Sequence, residues 1–386
     1  MSIDPIEIAR ALIRCRSVTP DEGGALTYIE SVLRPAGYAV HRMTFSEAGT
    51  PDVENLYARI GTSEPNLCFA GHTDVVPPGD VKAWTHDPFS AGVKDGMMYG
   101  RGAVDMKGAI ACFMAAALRV EAAGDLRGSI SFLITGDEEG PSVNGTAKVL
   151  DWLVQQGETL DACVVGEPSN PQALGDEIKI GRRGSLNAEL VVLGKQGHAA
   201  YPQLAENPVP KLARIIDRLS SQLLDQGTPE FEPSSLQVTV LSVANTATNV
   251  IPAEASAKFN IRYNDLWRRP QLEEWVRLQC EAAASGVNAR WSVTFSGTGD
   301  VFITKPGALV ETMIEAVHKV TGRKPALTTG GGTSDARFIQ AHCPVIEFGL
   351  LNATIHQVDE RVALADLEGL TTIYQAFIAG FFQRAR

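Results

Sequence analysis

Three short polar clusters, each placed directly after an apolar run, constrain this chain more than any other feature. Gly71-His72-Thr73-Asp74 follows Leu67-Cys68-Phe69-Ala70, and Gly136-Asp137-Glu138-Glu139-Gly140 follows the run Ile130 to Ile134. Between them lies Gly100-Arg101-Gly102-Ala103-Val104-Asp105-Met106-Lys107-Gly108. Runs of this length bounded by glycine read as buried strands. In an open α/β sheet, ligands bind beyond the carboxyl ends of such strands. Two further ligand types arrive in the same way: Glu167 ends the run Val164-Val165-Gly166, and His356 lies past the run Val345 to Phe348. Histidine and carboxylate delivered to one edge suit a hard-to-borderline divalent cation. Two histidines and three carboxylates, one of them bridging, suffice for two zinc ions.

Each residue taken singly has a plainer reading. Asp105 is a natural helix N-cap, and Glu138-Glu139 would pass for a solvated acidic turn. Adjacent carboxylates after a buried strand repel, however, unless each has its own task. One can bind metal while its neighbour acts as a general base. His72-x-Asp74 places two side chains on one face of a strand end, so Asp74 can orient the imidazole. Gly330-Gly331-Gly332-Thr333-Ser334-Asp335 is a glycine-rich turn with backbone amides able to cradle an anion. It lacks the Gly-Lys-Ser/Thr of a P-loop, and no Gly-x-Ser-x-Gly elbow surrounds Ser334. Arg182-Arg183 and Arg262 are candidate forks for a carboxylate.

Strands and helices alternate up to about residue 178, which predicts a largely parallel sheet with helices on both faces. The order then changes. A strand over 185–193, a helix over 208–224, strands over 236–244 and 255–263, a helix over 271–284 and a strand over 289–295 form a β-α-β-β-α-β, ferredoxin-like series. The α/β pattern resumes after Gly297. The expected organisation is a catalytic domain of residues 1–180 and 296–386, with an inserted lid and dimerisation domain of residues 181–295. A chain of 386 residues is long enough for two cores.

Composition limits the partners. The net charge of −11 and scattered Lys and Arg argue against nucleic acid or an anionic membrane. The six cysteines form no Cys-x-x-Cys, so neither a Cys-rich zinc site nor a disulfide framework is expected. The acidic start Ile3-Asp4-Pro5-Ile6-Glu7 lacks the basic and apolar regions of a signal peptide. The longest apolar run, Ala109 to Leu118, is about half of the ~20 residues needed for a membrane span. A cytoplasmic location is expected.

The clusters around His72, Asp105 and Glu138, together with Gly166-Glu167-Pro168, resemble the co-catalytic zinc aminoacylase/carboxypeptidase family. Gly197-His198 within Gly194 to Pro202 is similar to its lid motif. Gly181-Arg182-Arg183-Gly184-Ser185, Ala247 to Pro252, Gly332-Thr333-Ser334-Asp335 and Asn352-x-Thr354-Ile355-His356 resemble the branch that hydrolyses N-succinyl-LL-2,6-diaminopimelate. The resemblance implies two zinc ions per subunit, for which Co2+ can substitute. One zinc would rest on His72 and Glu167, the other on Glu139 and His356, with Asp105 bridging. Glu138 would be the base and Asp74 the partner of His72. His198 would be an oxyanion donor reaching across a homodimer formed by the inserted domain. Arg182, Asn249, Arg262, Thr333 and Asn352 would contact substrate. It further implies a cis peptide at Asp105-Met106. Deacylation of N-acetylornithine and dipeptide hydrolysis are alternatives for the same metal site, and a non-catalytic binding homologue is a third.

Overall fold

The computed structural model describes residues 3–384 and divides them into two compact units. The first holds the chain up to Gly181, then Ile303–Thr328 and everything from Ser334. The second holds Arg182–Phe302 together with Thr329–Thr333, so the glycines and Thr333 of the glycine-rich turn cluster with the second unit and its Ser334 and Asp335 with the first.

An eight-stranded sheet organises the first unit. Its spatial order is Ala39–Phe45, Val53–Ile60, Ser129–Thr135, Asn66–His72, Ala162–Val165, Val345–Glu347, Glu177–Lys179 and Ala326–Thr328. The four central strands run parallel, with Leu67 opposite Ile130 and Ala162, and Val345 opposite Cys163. Asn66–His72 and Ser129–Thr135 are buried along their whole length, as expected for strands covered on both faces. The two short strands Glu177–Lys179 and Ala326–Thr328 extend the sheet, and the sequence reading assigned neither. Three residues each carry too little periodicity to separate a strand from a loop.

Asp4 and Pro5 open the first helix as expected: the Asp4 carboxylate accepts from the Ile6 amide, and Pro5 stands in the first turn. Helix Lys107–Ala122 is buried almost all round, because helices Pro5–Arg14 and Leu364–Arg384 pack against it. Its Phe113 ring stacks on Phe69 of the sheet at 4.4 Å between centroids, and Phe132 and Tyr374 meet Phe113 edge-on at 5.6 and 5.2 Å. This aromatic knot lies beneath the strands that end in His72 and precede Glu138.

In the second unit the strands Gly184–Leu193, Ser235–Ser242, Glu254–Tyr263 and Arg290–Gly299 form one antiparallel sheet. Ser235–Ser242 and Arg290–Gly299 are its edges, and Gly184–Leu193 lies beside Arg290–Gly299. Helices Pro208–Ser221 and Arg269–Ser285 pack against each other and on this sheet. The order matches the ferredoxin-like series. The pair Gly197–His198 with Val250–Ile251 forms a separate two-stranded ribbon.

The aromatic knot fixes the sheet from which the polar clusters project. Phe113→Ala is expected to destabilise the first unit by about 3–5 kcal/mol, read as a lowered urea midpoint at unchanged slope.

Candidate metal centre

The parallel strands end at one edge, and that edge receives the polar clusters. His72 is the last residue of Asn66–His72, Glu138 and Glu139 follow Ser129–Thr135, and Glu167 follows Ala162–Val165. Asp105 stands just before helix Lys107–Ala122, and the Asp105–Met106 peptide is cis, as the resemblance implied. Gly166 allows this convergence. A Cβ there would fall 2.5 Å from the Phe69 ring and 2.7 Å from the Met106 methyl, so any side chain would displace the turn that carries Glu167.

Two groups of side chains result, and they share Asp105. His72 Nε2 lies 3.2 Å from Asp105 Oδ1 and 3.6 Å from Glu167 Oε1. His356 Nε2 lies 3.3 Å from Asp105 Oδ2 and 2.7 Å from Glu139 Oε1. In each group the donor atoms fall within 4.8 Å of one another. Two ligand atoms bound about 2.1 Å from one tetrahedral zinc stand about 3.4 Å apart, and the observed spacings bracket that value. The donors are imidazole nitrogen and carboxylate oxygen, with no thiolate, which suits a borderline or hard divalent ion. The five residues therefore fit a pair of such ions.

Hydrogen bonds fix the orientation of the donors. His72 Nδ1 is 2.9 Å from the backbone carbonyl of Asp74, a partner that directs Nε2 toward Asp105 and Glu167. The Asp74 carboxylate stands 3.6 Å from the same nitrogen, and its oxygens accept from the amides of Glu138 and Glu139 at 3.3 and 3.0 Å. Asp74 thus serves His72 through its backbone and the Glu138-Glu139 turn through its side chain. The sequence pattern His-x-Asp carried no sign of that division.

Burial and crowding shape the protonation of the site. Burial, with Asp335, Glu139 and Asp105 nearby, pushes Glu138 up to about 8 against the opposing pull of His72. Burial likewise pushes Asp74 up to about 7, and burial with the Asp105 and Glu138 charges holds Glu167 well above the usual carboxylate range. Burial opposes the charge on Asp105, but both imidazoles hold its carboxyl well below that range. Hydrogen bonds to Asp105 and Glu139 raise His356 to about 10. Burial works against protonation of His72, yet Asp105 and the surrounding carboxylates keep its pKa high.

The other predicted site residues are divided between the two units. Asn352 belongs to the first unit, where its amide donates to the Asn170 carbonyl at 2.9 Å. Arg182, His198, Asn249, Arg262 and Thr333 belong to the second unit. His198 is exposed, and its Nδ1 accepts from the Ala200 amide at 3.0 Å. The Asn249 carbonyl accepts from the Ala199 amide at 2.9 Å. Arg182 Nη1 donates to the Gly330 carbonyl at 2.9 Å, joining it to the glycine-rich turn. Arg262 sits opposite Ser185 and Ser235 on neighbouring strands. Glu360 is a buried carboxylate beside Asp105 that the sequence reading missed. It follows Val358-Asp359 in an ordinary polar turn and has no motif of its own.

The profile of peptidase family M20/M25/M40 matches residues 68–380. The fold is similar to that of an M20 family metallo-carboxypeptidase from Sulfolobus solfataricus, with TM-score 0.81 and 19% identity over 99% of this chain and 100% of the other. It is similar to the aminopeptidase PepT of Bacillus cereus, with TM-score 0.81 and 21% identity over 98% and 100% of the two chains. Human carnosine dipeptidase 1 aligns with TM-score 0.75 and 19% identity over 98% and 96%.

The protonation pattern predicts a pH response. Glu138, Asp74 and His356 all bind their protons more tightly folded than unfolded, which favours the folded state below their ordinary pKa values. That advantage disappears as pH rises through the folded values. Asp105 has the opposite sign, but its window lies below an ordinary Asp pKa of ~3.9. Metal-free protein is therefore expected to lose thermal stability as pH rises from ~5 to ~9, and added zinc should restore most at the high end. A melting temperature that climbs with pH in chelator-treated protein would contradict this.

Proposed function

We propose a hydrolytic function from one premise: the chain belongs to peptidase family M20/M25/M40. It is an enzyme of the metallo-peptidase and amidohydrolase kind. Within that class we favour succinyl-diaminopimelate desuccinylase, which cleaves N-succinyl-LL-2,6-diaminopimelate to succinate and LL-2,6-diaminopimelate in bacterial lysine and diaminopimelate biosynthesis.

One observation carries the choice of substrate. In the second unit, Arg262 Nη1 is buried without a hydrogen-bond partner among the described residues, and burial together with Arg183 and Arg182 lowers the pKa of its guanidinium. A half-buried cation with one enclosed nitrogen and two more cations beside it suits an anion. In a protein of net charge −11 such a cluster is not background. The proposed substrate carries three carboxylates, and Arg182 and Arg262 would take the acyl one. Asn249, Thr333 and Asn352 are the remaining proposed contacts. Peptide hydrolysis is the second reading, favoured by the carboxypeptidase, aminopeptidase and dipeptidase names of the structural relatives.

His72 and Glu167 would hold one divalent cation, Glu139 and His356 the other, with Asp105 between them. The chemistry such a pair supplies when bound is Lewis acidity, which acidifies water and polarises an amide carbonyl. With cations bound there, Glu138 would fall from about 8 toward the range in which it accepts a proton at neutral pH. Glu138 takes the proton of the attacking water and returns it to the amine nitrogen as the C–N bond breaks. Asp74 holds the backbone of both glutamates, keeping the base and the ligand turned to separate tasks. His198 donates to the carbonyl oxygen as negative charge develops there.

A cytoplasmic homodimer completes the reading. The edge strand Ser235–Ser242 exposes Val240 and Leu241, the latter to 66%, which is a surface suited to pairing with a second copy. No helix among the described residues is long and apolar enough to cross a membrane.

Assays of N-succinyl-LL-2,6-diaminopimelate, N-acetylornithine and a dipeptide side by side are expected to show turnover of the first above the others. Preference for the dipeptide would install the second reading. Glu138→Ala should retain two equivalents of zinc and lose nearly all turnover, whereas Glu139→Ala should lose one equivalent. Metal analysis with the reverse pattern would exchange the two roles.

A mixed dimer of His198→Ala and Glu138→Ala chains tests the proposed donor. If His198 acts on the partner's site, the first chain keeps its own base and borrows an intact histidine, so one site of the two works. A dead mixed dimer would remove His198 from that role. Losing one such donor is expected to lower kcat by ~10²–10³.

A further inference from the structure

Beyond its contacts with Glu139 and Asp105, the candidate ligand His356 lies in open surroundings. Its side chain is 46% exposed, and its backbone adopts φ +58°, a left-handed conformation uncommon outside glycine. Asp359, three residues on, adopts φ +59°. Two buried charges hold this segment, Glu360 at its end and Arg101 from a distant part of the chain.

Glu360 and Arg101 are both almost completely buried. Glu360 Oε2 accepts from Arg101 Nη1 at 2.7 Å. Its other oxygen accepts from the amides of Val104 and Asp105 at 3.0 and 3.3 Å. Arg101 Nη1 also donates to the Gln357 carbonyl at 3.2 Å, and Nη2 donates to the His356 carbonyl at 3.3 Å. The guanidinium lies over the Trp84 ring, 5.2 Å from its centroid. One end of this pair thus grips the backbone of Asp105, and the other grips the backbone of His356.

A buried ion pair adds little net stability, because desolvation offsets the Coulomb attraction. What this pair adds is direction. Its hydrogen bonds go to the two segments that carry Asp105 and His356, which are 251 positions apart in sequence (356 − 105). A planar guanidinium is suited to this because it reaches several acceptors in fixed geometry, which an ammonium cannot do.

We propose that Arg101 and Glu360 are positioning residues that set the Asp105–His356 distance and so the affinity of the Asp105–Glu139–His356 group for its cation. This rests on the two-cation reading above. Neither residue touches the cation, and both act through the backbone of residues that do.

The experiment is a titration of metal-free protein with cobalt(II), followed by visible absorption, and with zinc(II), followed by calorimetry. Two variants accompany the wild type. Arg101→Lys keeps the ion pair with Glu360 but cannot span the carbonyls. The double variant Arg101→Met, Glu360→Gln removes both charges and leaves none unpaired. Wild-type protein should take up two ions. Each variant should bind one ion within ~3-fold of wild type and the other ~10–100-fold more weakly, with an altered cobalt spectrum for the weakened site. A role confined to fold stability would lower the melting temperature of metal-free variants and leave both affinities unchanged, which would overturn the proposal. If the double variant does not fold, Arg101→Lys decides by the same criterion. Wild-type uptake of fewer than two ions would instead refute the two-cation reading, whatever the variants do.

Discussion

Like-charge crowding at one sheet edge is the constraint on which the rest depends. Asp105, Glu138, Glu139 and Glu167 converge around two imidazoles, and burial with mutual repulsion raises Glu138 and Glu167. Two unit charges 4 Å apart interact by about 4 kcal/mol at an effective dielectric of 20. A fold that gathers such charges must hold them there by packing and relieve them by protons or cations. The packing comes from the aromatic knot of Phe69, Phe113, Phe132 and Tyr374 and from strands buried on both faces. The relief comes from His72 and His356, completed in the proposed enzyme by two divalent ions.

The same electrostatic logic divides the chain. The first unit gathers carboxylates and histidines, whereas the second gathers Arg182, Arg183 and Arg262. Like charges stand close in each cluster, and in the second Glu232 offsets Arg183 at 3.3 Å. In the proposed enzyme a binuclear centre and a polyanionic substrate would answer the two clusters separately.

Much of this was legible in the sequence because the ligands follow strands. A strand places its last residue at the sheet edge, so His72, Glu139 and Glu167 could be found by reading apolar runs to their ends. The inserted β-α-β-β-α-β series was legible for a similar reason, since its strands alternate and its helices repeat over ten residues or more. Elements too short to show a period were not legible, among them Glu177–Lys179 and Ala326–Thr328. Nor were residues defined only by long-range contact. Glu360 looks like any polar turn residue until its partners 255 and 256 positions away are known. The carboxylate of Asp74 was read as a histidine partner, and only the structure shows it bonded to two backbone amides of the Glu138-Glu139 turn.

The two ligand groups differ in where they lie along the chain. His72, Asp105 and Glu167 are all present once residue 167 has been made, and their strands Asn66–His72 and Ala162–Val165 pair directly. The group of Asp105, Glu139 and His356 waits for a further 189 residues (356 − 167), the whole of the second unit among them. At about 5–20 residues per second, a ribosome needs roughly 10–40 s to supply them. A nascent chain therefore carries one complete set of candidate donors well before the other exists.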